Sequence, residues 1–261
     1  VYPDGVGVLV GHSGGNRISA NDISGFMYTG ISVGWVWGYG SSLARDNLIE
    51  GNHIHHLGFG MLSDMGGIYT LGVSPGTVIR GNRIHDISAY DHYGRGAWGI
   101  YADEGTSEVL IENNLVFRAG SAGFHQHYGR NNLLRNNIFA LSRQAQLERT
   151  RAEPHSSFSF TGNIVATARA PLLTGTWQDG HFMMDNNLYA DLAGGVPHWN
   201  GSNLAEWQAA GRDLHSVIAD PGFVDPVHDD FGLRSGSAAT AMGFVPLGTA
   251  GVQGEPAWIA R

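Results

Sequence analysis

The chain has 261 residues, 39 of them Gly and none Cys, with 42% hydrophobic residues and a formal charge of −8 carried without a single Lys. The hydrophobic share can supply a core, so global disorder is excluded, as are disulfides and thiolate metal sites. An acidic surface without Lys disfavours nucleic acid, which needs basic clusters, and no apolar run approaches a membrane span.

Residues 1–15 lack the basic segment and cleavage pattern of a signal peptide and read as the middle of a repeat. Such a start fits a mature protein or a part of something longer. From there an Asn followed by an aliphatic residue recurs at Asn16, Asn52, Asn82, Asn114, Asn137, Asn163 and Asn187, at spacings of 36, 30, 32, 23, 26 and 24 residues. A base period near 23 with insertions fits leucine-rich repeats or parallel β-helix coils. The leucine-rich consensus is missing, long helical stripes are absent, and β-favouring residues dominate. The reading is an all-β, single-stranded, right-handed parallel β-helix. Asn suits its tight turns, because it tolerates left-handed backbone angles and its amides can stack into a ladder.

A second column supports the register. Ile31, Ile68, Ile100 and Phe124 each follow a Gly, and the last three precede their next Asn by 14, 14 and 13 residues. Insertions thus enter on one side, where solenoids build binding faces. The inserted loops carry Tyr28, Trp35, Trp37 and Tyr39, then Phe59, Met61 and Asp64, then Tyr90 to Trp98. Residues 142–157 read as a longer charged loop.

The β-helix is expected over 1–196. Residues 197–261 read as a C-terminal cap over the last coil, with a short helix started by Ser202 and carrying Leu204, Trp207 and Ala210.

Period-two alternation along the Gly-Ile strands turns Tyr69, Tyr101 and His125 outward, then Asp103 and His127. Neighbouring coils lie about 4.8 Å apart, so these residues share one patch. Asp64 enters that patch from a loop, Glu104 follows Asp103, and Trp98 and Tyr93 come from the largest insertion. Paired carboxylates beside rings and imidazoles suit glycoside hydrolysis, which needs one protonated acid and a second carboxylate as nucleophile or base. The catalytic candidates are Asp64, Asp103 and Glu104. The substrate-binding candidates are Tyr69, Tyr93, Trp98, Tyr101, His125 and His127. His53, His55, His56, His85 and Asp86 are read as outward side chains of the solenoid, so no metal and no cofactor is expected.

The segments SDMGGIYTLGVSPGTVIRGNRIHDI (63–87), WGIYADEGTSEVLIENNLV (98–116) and GFHQHYGRNNLLRNNIFA (123–140) resemble the coils of parallel β-helix glycoside hydrolases of family 141. The resemblance covers residues 45–140 well and residues 220–239 more loosely. It implies a secreted or periplasmic bacterial enzyme acting on plant cell-wall glycans, with xylanase or α-L-fucosidase activity and Asp64 and Asp103 as the catalytic pair. Members of that family are usually longer. A carbohydrate substrate and a monomer are expected, with no nucleic acid and no membrane. Two rivals remain. One is a polysaccharide lyase using Arg95, Arg118, Arg130, Tyr101 or His125, and the other is a non-catalytic carbohydrate-binding solenoid.

Overall fold

The computed structural model describes residues 2–90 and 96–248. Three parallel sheets run the length of the molecule, each coil giving one strand to each. The first sheet holds Val8–Val10, Ile31–Gly34, Met65–Leu71, Ala97–Ala102, Phe124–Gln126, Leu147–Arg149 and Leu173–Gly175. The second begins at Arg17–Ser19 and ends at Met183–Asp185, and the third begins at Asp22–Ser24 and ends at Val217–Ile218. This is the right-handed parallel β-helix. Its interior is filled by one apolar column per sheet. Ile31, Ile68, Ile100 and Phe124 stand in register and are fully buried. Each such side chain contributes about 1.5–3 kcal/mol.

The corner between the second and third sheets is two residues long, and its chemistry explains the Asn repeat. The first residue takes the left-handed conformation: Gly51, Gly81, Asn113, Asn136, Gly162 and Asn186 all have φ between 53° and 63°. Gly suits that seat because it lacks a β-carbon and Asn because its short polar side chain tolerates left-handed angles, and Ala20 (φ 54°) holds it before Asn21. The second residue is the ladder Asn. Asn82 gives both its backbone N–H and its Nδ2 to Asn114 Oδ1, at 3.0 and 2.9 Å, and gives Nδ2 also to the Ile49 carbonyl. The same pattern links Asn52, Asn82, Asn114, Asn137, Asn163 and Asn187. The left-handed turn is thus the task of the preceding residue, while the ladder Asn supplies hydrogen bonds. The first rung is Asn21, which donates to Asn52 Oδ1 at 2.8 Å, not Asn16. Asn16 instead bonds Asn47 at the corner between the first two sheets. At the far end the ladder stops on Asp213 and Ser216, which accept from Asn187.

The C-terminal segment does two jobs. Trp199 and Trp207 join Trp177 and Phe182 to close the end of the core. Helix Leu204–Ala209 is capped by Asn203, not Ser202, in a reciprocal box with Glu206. Residues 219–247 then lie along the outside of the third sheet, where Phe223, Phe231, Ala239 and Phe244 cover Phe117, Ile138, Ala140, Ile164 and Leu188. That flank needs covering because those third-sheet strands are apolar on both faces.

Candidate active site

The outer face of the first sheet carries a column of mixed identity: Ser32, Tyr69, Tyr101, His125, Glu148 and Thr174. The rings stack along the sheet. Tyr69 and Tyr101 lie 4.5 Å apart between centroids, and Tyr101 and His125 lie 4.8 Å apart and nearly parallel. Trp98 leans on both Tyr101 and His125 at 4.3 Å. It does not come from a loop: it lies in strand Ala97–Ala102, in register with Gly66. A β-carbon at Gly66 would meet Tyr101 at 3.1 Å, so the glycine makes room for the stack.

Asp103 ends this strand and is buried. Tyr69 Oη donates to one of its oxygens at 2.5 Å and Tyr101 Oη lies 2.8 Å from the other. The Tyr101 oxygen is also 3.0 Å from Asp64 Oδ1, so one phenol links the two carboxylates. The two carboxylate oxygens it touches are no farther apart than the sum of those two distances. Asp64 sits on a left-handed turn (φ 60°) at the exposed rim, and Tyr28 Oη donates to its carbonyl at 2.8 Å.

Partial loss of water pushes the Asp64 pKa up. The Tyr101 bond opposes that rise, and the nearby charges of Asp103 and Glu104 add to it. Burial and the same aspartates hold the Tyr69 and Tyr101 phenols far above their usual range, and push Tyr28 up to about 12. These phenols are donors at any working pH.

The remaining candidates spread from this pair. Glu104 points toward Tyr128, whose hydroxyl lies 3.4 Å away. His125 Nε2 and His127 Nδ1 both meet Thr150 Oγ1, at 2.9 and 2.8 Å. His127 is half-buried, whereas Tyr69, Trp98, Tyr101 and His125 are buried with their faces turned to one another. Rings expected to stack on a sugar are thus spent on each other. Trp35 packs on Tyr69, Trp37 is 59% exposed, and the N–H of Gly38 bonds the Glu104 carbonyl. Tyr93 and Arg95 lie outside the described residues. Arg118 is on the third sheet, bound to Asp86 and Asp229, and does not face this site.

A third carboxylate escaped the sequence reading. Residues 142–157 are not simply a loop. They contain strand Leu147–Arg149, which puts Glu148 beside His125, where it accepts from Trp98 Nε1 at 2.8 Å. The available signal was the interval from Phe124 to Leu147, which equals the 23 residues between Asn114 and Asn137. With Glu153, which accepts from Tyr39, five acids mark this flank of the molecule. A cleft of about 670 Å³ opens on a different side, lined by Phe59, Arg118, Arg143 and Gln144 among others. Its carboxylate, Asp86, is tied up by Arg118, so volume and chemistry point to different places and the chemistry identifies the site.

The profile of the right handed beta helix region matches residues 2–188. Among solved structures, a glycoside hydrolase is similar at 30% identity and a TM-score of 0.45, over 51% of this chain and 22% of that one. The periplasmic alginate epimerase AlgG is similar at 12% identity and a TM-score of 0.38, over 82% of this chain and 46% of that one. The chain spans less than half the length of either. No curated protein matches.

Proposed function

The chain belongs to the right-handed β-helix family, and with that premise we propose that it hydrolyses glycosidic bonds in a neutral glycan. The observation that carries the reading is the Tyr101 hydroxyl shared between Asp64 and Asp103. Hydrolysis needs two carboxylates with different protonation on either side of one bond. Asp64, at the rim with a raised pKa, is the general acid that protonates the leaving oxygen. Asp103, held rigidly by Tyr69 and Tyr101, is the nucleophile or base. The contact through a single hydroxyl favours the narrow spacing of about 5–5.5 Å that goes with a covalent intermediate and retained configuration.

Trp37 and His127 line the approach and are the groups that meet the sugar, with Glu104 at its edge. The concentration of acids on this face favours a neutral glycan over a uronate, which a lyase would need to neutralise. Xylan and fucosylated oligosaccharides, the substrates of the family-141 resemblance, are the first to try, with secretion or the periplasm as the setting and a monomer as the working unit.

The test is a glycan panel assayed with wild type, Asp64→Asn and Asp103→Asn. Reducing ends should appear with wild type and fall steeply in both variants. Unsaturated products absorbing in the ultraviolet would move the assignment to a lyase, and binding without turnover would leave a carbohydrate-binding solenoid.

A further inference from the structure

The outer face of the third sheet carries a second cluster that the hydrolytic reading does not use. Strands Asp22–Ser24, His53–Leu57 and Arg83–Ile87 pair in register, so Asp22 lies beside His53, and His55 lies beside His85. Ile23, Ile54 and Ile84 point into the core between them, which turns the imidazoles outward. The rings are packed together: His53 and His55 at 4.0 Å, His55 and His85 at 5.2 Å, and His85 on Phe117 at 4.6 Å.

His53 and His85 turn one nitrogen each toward a common point, while His55 Nδ1 meets His56 Nδ1 at 2.6 Å. His85 Nδ1 lies 2.6 Å from Asp86 Oδ2, and Arg118 fixes Asp86 through two bonds. A carboxylate on one ring nitrogen makes that nitrogen the N–H and leaves Nε2 a bare lone pair, the orientation that second-sphere carboxylates give to metal-bound histidines. His53 Nδ1 faces Asp22 Oδ2 at 3.5 Å, which orients its ring the same way. The two Nε2 atoms then meet at 2.8 Å. Two lone pairs at that distance repel unless a cation lies between them. One ligand nitrogen from each of His53, His55 and His85 falls within a span of 4.8 Å, and Asp22 Oδ1 is 3.0 Å from His55 Nε2. The opposing charge, Arg83, is drawn over Phe117 and onto the Asp229 carbonyl.

We propose that His53, His55 and His85 bind a divalent ion of the zinc class that cross-links two successive coils. Imidazole ligation suits Zn²⁺, Ni²⁺ or Cu²⁺ rather than Ca²⁺ or Mg²⁺. Zinc–nitrogen bonds of about 2.0–2.1 Å set tetrahedral ligand nitrogens about 3.3 Å apart, so the two facing rings need to part by only about half an ångström.

The experiment is calorimetric titration of the untagged, metal-stripped full chain with zinc chloride, alongside melting curves and the absorption spectrum with Co²⁺. Wild type should bind one ion at micromolar or lower zinc, melt higher with it, and give the intense visible bands of tetrahedral Co²⁺. His53→Ala and His55→Gln, at half-buried positions that a fold tolerates better than buried His85, should each weaken binding at least tenfold. Asp103→Asn should bind as wild type does. Absence of saturable binding in wild type would overturn the proposal and leave a shared proton between His53 and His85. Undiminished binding in His53→Ala, or binding lost in Asp103→Asn instead, would also overturn it.

Discussion

Two columns of polar side chains climb this solenoid, and they obey different rules. At the corner between the second and third sheets every rung from Asn52 to Asn187 is the same residue, buried, with each amide donating to the next oxygen and to a carbonyl. On the outer face of the first sheet the rungs run Ser32, Tyr69, Tyr101, His125, Glu148, Thr174, with no two acids equivalent. A uniform ladder satisfies groups that the coil itself buries, and its logic is structural. A column of mixed residues builds a local environment, and the buried Asp103 beside the rim-bound Asp64 is its most specific product.

The comparison breaks most sharply where chemistry and fold respond differently. Asp103→Asn should lower turnover about a thousandfold or more, ~4 kcal/mol of barrier. Its circular dichroism and melting temperature should stay near wild type. Asn114→Leu should do the reverse. It removes the acceptor for the Asn82 N–H and Nδ2, and the donor to the Ile79 carbonyl. Buried groups left unpaired should cost about 3 kcal/mol in urea denaturation, with the midpoint shifted and the slope kept.

Tyr101→Phe sharpens the same contrast. It deletes one hydroxyl that touches both aspartates and leaves the ring stack intact, so kcat/KM should fall about thirtyfold, ~2 kcal/mol, with little loss of stability. The smallest effect lies on the third sheet. Above pH 6.5 His53 and His85 are neutral in both the folded and the unfolded chain. Between 6.5 and about 4 the unfolded chain takes up protons that the folded chain refuses, so stability falls on acidification through that window. His53→Ala should flatten the fall by ~1 kcal/mol, read from urea midpoints at pH 7 and pH 4.5.

The contrast also explains what was legible in the sequence. A uniform column repeats its letters, so the Asn anchors and the Gly-Ile strands reveal the coil. The error at Asn16 arose because a second corner uses the same amide chemistry with Asn47. The functional column repeats position and repeats identity only at Tyr69 and Tyr101. Tyr69, Tyr101 and His125 were readable because each directly follows a Gly and an inward apolar residue. Glu148 was not, because Leu147–Arg149 sits among charges and lacks the leading Gly. Nor could spacing show that the rings would cover one another, since burial depends on how Trp98 leans across the coils. The C-terminal flank shows a related limit: turn-rich residues after Pro197 announce an end to the repeat but not which surface they will cover.

The central claim is the division of labour between Asp64 and Asp103, and its most direct test is the pH dependence of kcat/KM in wild type and Asp64→Asn, on the glycan that wild type cleaves fastest. Wild type should lose activity as pH rises through a pKa above the ordinary carboxylate range, because the acid must keep its proton. The variant should lack that limb and be slow throughout. An unchanged profile and rate in Asp64→Asn would contradict the account.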